Sequence, residues 1–196
     1  MSQPVHIRSR TLTTTLILLA VVAIAFGTYK LVDRYVVNPE INPSDLDIAT
    51  LQTPFQQAPH FSLLDLNGSP FAIQDHTDKI VIVNFWATWC KPCLDELPSL
   101  LQFSRSFEKE ILILAISQDK NSSVVLDFFK NLKIKPSSNF ITLLDPFGQT
   151  ANSYGTSALP ESYILKKGLK FYRKISGFRD WQSPASIQEM SRLLKE

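Results

Sequence analysis

Cysteine is nearly absent from this chain: its 196 residues hold only Cys90 and Cys93. A framework of several disulfides is therefore excluded, and the two thiols have no intramolecular partner but each other. Charge of one sign is missing too. A formal net charge of +2, with no basic stripe interleaved with aromatics, excludes nucleic acid as an expected partner. Histidine is equally scarce. His6, His60 and His76 are the only three, and none has clear ligand spacing. A zinc site would want two further ligands beside the two sulfurs, so no resident metal or other cofactor is expected. There is no internal repeat and no low-complexity block. With 44% hydrophobic and 19% charged residues, the composition is that of a globular protein and not of a disordered one.

One long hydrophobic run is present. Residues 11–29 carry no charge and centre on Leu16-Ile17-Leu18-Leu19-Ala20-Val21-Val22-Ala23-Ile24-Ala25-Phe26. As a helix rising about 1.5 Å per residue it would span roughly 28 Å, close to the hydrocarbon thickness of a bilayer. Ala23-Ile24-Ala25 resembles a cleavage site, but it lies inside the apolar run, which favours an uncleaved signal-anchor over 11–31. His6, Arg8 and Arg10 precede the run and place residues 1–10 on the cytoplasmic side of a bacterial inner membrane. The remainder is expected in the periplasm or extracytoplasmic space. In that oxidising compartment a dithiol needs an electron supply to act as a reductant.

Residues 32–58, with Pro39, Pro43 and Pro54, read as a linker. The domain is expected over 59–196. Phe61-Ser62-Leu63-Leu64-Asp65-Leu66 and Phe71-Ala72-Ile73 flank Asn67-Gly68, a hairpin turn signal. Residues 80–85 and 111–116 are continuous β-prone runs of the kind covered on both faces. Helices are expected after the cysteines, with a kink at Pro98, and over 124–132, 151–154 and 187–194. A short strand is expected at 140–144, and a hairpin joins 162–165 to 171–175 about Lys167-Gly168. This order implies an α/β sandwich, with a mixed central β-sheet flanked by helices.

Cys90 is placed at the start of the helix that follows the first buried strand. Free backbone N–H groups and the helix dipole there stabilise a thiolate, which makes Cys90 the attacking sulfur. Cys93, one turn in, can attack a mixed disulfide on Cys90 and release the partner. Pro92 removes a backbone donor beside the sulfurs, and Trp89 offers a flat apolar flank for a docking protein. Two thiolates can also hold a soft Cu(I) ion, so copper binding or copper-site assembly for a respiratory oxidase is the alternative reading.

The motifs resemble one family in particular. Ala58-Pro59-His60-Phe61-Ser62-Leu63, Val83-Asn84-Phe85-Trp86-Ala87-Thr88-Trp89-Cys90-Lys91-Pro92-Cys93, Glu96-Leu97-Pro98 and the stretch from Tyr154 to Tyr163 are similar to the membrane-anchored thioredoxin-like proteins that include TlpA, ResA and CcmG. The resemblance implies a thioredoxin-like fold and a protein-disulfide reductase. Cys90 and Cys93 would be its redox-active disulfide. Pro160 matches the family's cis-proline, whose loop with Leu159 would pair with client backbone. Asn84 stands where cytosolic thioredoxins carry a buried Asp, and Glu96 would supply the missing acid for the resolving thiol. Implied partners are protein thiol or disulfide clients such as apocytochrome c, and a membrane electron donor of the DsbD/CcdA type. Glu161 resembles the Pro-Glu of CcmG-like members and reads as a rim residue, although Gly155-Thr156-Ser157-Ala158-Leu159 lacks that group's second glycine. Ala87 occupies the position at which peroxide-reducing relatives carry Thr, so a peroxidase is not expected.

Overall fold

The structure is a computed structural model that describes residues 19–28, 30 and 56–196. Residues 19–28 are helical. The rest of the expected anchor and nearly all of the expected linker lie outside the described residues. Among the described residues no helix is long and apolar enough to cross a membrane.

Residues 56–196 build a seven-stranded sheet in the order β2-β1-β5-β4-β3-β6-β7. The strands are β1 (Ser62–Asp65), β2 (Pro70–Ala72), β3 (Ile80–Trp86), β4 (Ile111–Ser117), β5 (Phe140–Leu144), β6 (Glu161–Lys166) and β7 (Lys170–Ser176). Four helices accompany them: α1 (Lys91–Ser106), α2 (Ser122–Asn131), α3 (Gln149–Tyr154) and α4 (Pro184–Leu193). β4 pairs in parallel with β3 and β5, while β6 and β7 add antiparallel strands, so the sheet is mixed as expected.

Every residue of β3 and β4 is buried. Their alternation divides the core into two layers, because successive side chains point to opposite faces. Ile80, Ile82 and Trp86 pack with Leu97, Leu100 and Phe103 of α1 and Met190 of α4. Val81, Val83 and Phe85 pack on the other face with Tyr154 of α3, Tyr163 and Leu165. A strand covered on both faces needs apolar residues at every position, which is why these runs are legible without alternation.

Local chemistry fixes the connections. Asp65 Oδ1 accepts from the N–H groups of Asn67 and Ser69, both at 2.8 Å, and Gly68 takes φ +83° to close the first hairpin. Asn121 caps α2 by accepting from Val124 N–H at 3.3 Å, and Ser183 caps α4 ahead of Pro184. α1 continues through Pro98 as one helix, with that ring on its exposed side. The β6–β7 connection is a tight 3-10 turn over Lys167–Leu169 with Gly168 at φ +76°. Pairing along β7 begins before Pro59: Gln57 bridges Lys170, and Ala58 N–H donates to Leu169 O at 2.9 Å.

Candidate active site

β3 ends at Trp86, and the chain turns through residues 87–89 before α1 begins at Lys91. Cys90 is the N-cap of α1, with extended backbone at φ −90° and ψ 101°. Cys93 lies one turn inside, and the two are joined by a disulfide, with Cα atoms 5.3 Å apart. Cys93 N–H donates to Cys90 Sγ at 3.3 Å, so the first sulfur faces the open end of the helix. Both cysteines are buried, and Cys90 keeps 6% exposure against 3% for Cys93.

The turn that presents Cys90 is held by a residue that sequence reasoning passed over. Asp119, buried beyond the end of β4, accepts from Thr88 N–H at 3.0 Å and Thr88 Oγ1 at 2.7 Å. Ser117 Oγ donates to the same carboxylate at 2.7 Å. Asp119→Ala removes the acceptor and strands these donors, which costs about 1–3 kcal/mol. Its urea midpoint is expected to fall with the m-value unchanged. An unchanged midpoint would show that the clamp contributes nothing.

Sheet register brings the second loop to the same end. Glu161, the first residue of β6, pairs with Phe85 near the end of β3. Leu159 and Pro160 precede it, so their loop lies at the edge from which the Cys90 turn departs. The Leu159–Pro160 bond is cis, as the resemblance implied. Glu161 corrects the sequence reading: it is buried, not a rim residue. Its carboxylate takes Lys174 Nζ at 3.1 Å, Ser176 Oγ at 2.8 Å and the Tyr163 hydroxyl at 3.0 Å. Lys174 also donates to Gly155 O at 3.0 Å, tying β7 to the start of the proline loop.

Between these loops runs a groove of about 400 Å³, with Trp89, Phe147 and Leu159 among its lining residues. Trp89 is 69% exposed and Phe147 84% exposed, beyond what packing in a lone domain requires. Phe147 was not anticipated. A large aromatic in the turn Asp145-Pro146-Phe147-Gly148 was the available signal. Pro92 is exposed on the first turn of α1.

Three residues after Cys93 on α1, Glu96 is 2% exposed. One carboxyl oxygen, Oε1, accepts from the indole Nε1 of Trp181, and Oε2 is buried with no hydrogen-bond partner among the described residues. Burial pushes its carboxyl up from 4.5 to about 7, against the Trp181 hydrogen bond and the nearby Arg179 charge, which both lower it. Asn84, on the α1 side of β3, is neutral there and donates to Ser162 Oγ at 2.9 Å. The site therefore joins a redox-active cysteine pair, an adjoining groove that mixes exposed aromatics with polar side chains, and a buried carboxyl able to gain or lose a proton near neutrality.

A family model described as AhpC/TSA matches residues 54–171 of the chain. The chain belongs to the AhpC/TSA family. Within it, the chain is 33% identical over 123 residues to the thiol-disulfide oxidoreductase ResA of Bacillus thuringiensis subsp. konkukian, covering 62% of this chain and 69% of that one. It is 36% identical over 118 residues to the thioredoxin-like protein YneN of Bacillus subtilis, covering 58% and 66%. Among solved structures, a Chlorobium tepidum protein assigned as a DsbE thiol:disulfide interchange protein superposes with a TM-score of 0.63. That match has 28% identity and covers 71% of this chain and 96% of the other. The fold is thus thioredoxin-like, and this AhpC/TSA member is a thiol–disulfide oxidoreductase of the ResA/DsbE type with a Cys-x-x-Cys pair.

Proposed function

We propose that the chain is a membrane-tethered reductant of protein disulfides, with its catalytic domain outside the bacterial inner membrane. The observation that supports proton transfer at the resolving thiol is the buried Glu96 carboxyl, poised near neutrality three residues after Cys93 on α1, while the reducing direction rests on the resemblance to the ResA and CcmG proteins. The uncharged run over 11–29 supports the tether. Cys90 attacks one sulfur of a client disulfide as the thiolate, forming a mixed disulfide and releasing the client's other sulfur as a thiolate that takes up a proton. Cys93 then gives its proton to the Glu96 carboxylate and attacks Cys90 Sγ. The internal disulfide forms, and the client's second thiolate leaves and takes up a proton, matched by the one that Glu96 releases. The client gains two electrons and two protons, and a dithiol donor of the DsbD/CcdA type returns the chain to its reduced form. Trp89, Pro92, Leu159 and Pro160 form the surface against which the client lies.

The client we propose is the oxidised cysteine pair of apocytochrome c before haem attachment, on the strength of the resemblance to the CcmG branch. The reduced full chain in detergent is expected to reduce an oxidised Cys-x-x-Cys-His peptide stoichiometrically, read by thiol titration. No exchange, under conditions where a control reductase works, would remove this client.

A further inference from the structure

Trp181 reaches Glu96 from the connection between β7 and α4, a segment that carries no motif. Its indole is fully buried and packs on Phe103 of α1, ring centroids 5.4 Å apart. Its backbone N–H donates to Ser99 Oγ at 3.2 Å, and Ser99 Oγ donates in turn to Glu96 O at 2.8 Å. The Arg179 guanidinium lies 4.8 Å from the Trp181 ring centre. Arg179 is itself fixed from α4, by Ser186 Oγ at 2.9 Å and Glu189 Oε2 at 2.7 Å. The indole is thus held through its backbone, by Phe103 and by a cation over its ring. That is more restraint than core packing alone requires, and its one polar atom is spent on Glu96.

We propose that Trp181 is a positioning residue, whose indole N–H pins one oxygen of Glu96 and leaves the other, Oε2, to take the proton of the Cys93 thiol. The proposal rests on the reading of Glu96 as the proton acceptor. A carboxylate buried among apolar groups without a donor would rotate freely and stay protonated over a wider pH range. A fixed N–H donor selects one orientation and favours the ionised form. The charged groups around Glu96 are few. Arg179 faces it from the β7–α4 connection, and Glu189 of α4 holds Arg179 while also taking Arg173 of β7 at 3.1 Å. On α1 itself, Lys91 and Asp95 pair with each other at the exposed surface. Cys93 precedes Glu96 by three residues on the same helix, and Cys90 caps that helix.

Trp181→Phe keeps a ring against Phe103 and beneath Arg179 but has no N–H. In the reduced full chain mixed with oxidised glutathione, the step that expels glutathione from Cys90 rises with pH as Glu96 ionises. The midpoint of that rise is expected to move alkaline by about one pH unit in Trp181→Phe, the worth of one charge-assisted hydrogen bond. Adding Trp181→Phe to Glu96→Gln should move nothing further. If Glu96→Gln itself resolves the adduct at wild-type rate, the reading of Glu96 falls and this inference with it. If Glu96→Gln is slow while Trp181→Phe keeps the wild-type midpoint, even with lowered thermal stability, Trp181 is only a packing residue and this inference alone is overturned. A second measurement needs no variant that might misfold: the Trp181 indole N–H resonance of the native chain should titrate with Glu96 near pH 7. A resonance flat from pH 5 to 9 would also overturn it.

Discussion

Cys93→Ser is expected to lock the chain to its clients through Cys90. In the intact protein the second thiol stands one helical turn from the first, so the mixed disulfide is resolved within the molecule. Well-oriented intramolecular reactions reach effective molarities of about 10⁵ M or more, whereas external thiols are available at millimolar concentrations. Catalytic turnover should therefore fall by more than about a thousandfold, while the first attack by Cys90 survives. Position separates the two cysteines in the same sense, since Cys90 caps the helix while Cys93 lies one turn inside it. Cells expressing Cys93→Ser should yield covalent adducts on Cys90 that disappear on reduction, identifiable by mass spectrometry from non-reducing gels. Cys90→Ser should yield none. Adducts on Cys93 instead of Cys90, or turnover that survives the substitution, would reverse the assigned roles.

The elements that carry the disulfide were legible because each rests on a local signal. Residues 80–86 and 111–117 are apolar at nearly every position, which only a strand covered on both faces demands. Cys90 and Cys93 sit where such a strand gives way to a helix, so the N-cap position followed directly. Glu96 was marked by the family resemblance, with Asn84 standing where relatives carry a buried acid, and the structure places it among the buried residues of α1. The supports of the site were not legible, because their partners are distant in sequence. Trp181 meets Glu96 across 85 positions, and Asp119 meets Thr88 across 31. Neither lies in a periodic segment. Glu161 shows the opposite error. Next to a loop proline it suggested a rim, but pairing of β6 with β7 brings Lys174 and Ser176 to its carboxylate and permits its burial.

That contrast also separates the two carboxyls near the proline loop and the disulfide. Glu161 has an ion pair and two hydroxyl donors, so its charge is satisfied on both oxygens. Glu96 has one indole donor and an orphaned oxygen. A carboxylate with full coordination holds loops in place; one with a vacant oxygen beside a dithiol is suited to move a proton. The replacement of a buried acid on β3 by Asn84 is consistent with this division. Asn84 hydrogen-bonds Ser162 and offers no titrating group, so the proton traffic falls to α1.

Glu96→Gln is expected to slow resolution at pH 7 by about a hundred- to ten-thousandfold, the usual worth of a positioned acid or base. Glutamine retains an acceptor for the Trp181 indole, so the loss reports the missing ionisation and not a broken contact. The same variant should change stability in a way that can be measured on the oxidised chain, where neither sulfur titrates. Burial raises the Glu96 carboxyl from 4.5 to about 7, so the folded state holds this proton more tightly than the unfolded state does. Its stabilising share is complete below about pH 4.5 and is lost as the pH rises through about 7, amounting to roughly 3 kcal/mol across that window. The unfolding free energy of the wild-type chain should therefore decline between pH 5 and pH 7, beyond what other groups contribute. In Glu96→Gln that part of the decline should vanish, leaving the variant more stable relative to wild type at pH 8 than at pH 5. Parallel stability curves for the two proteins, together with wild-type exchange rates, would show that Glu96 ionises as an ordinary surface carboxylate and takes no part in the chemistry.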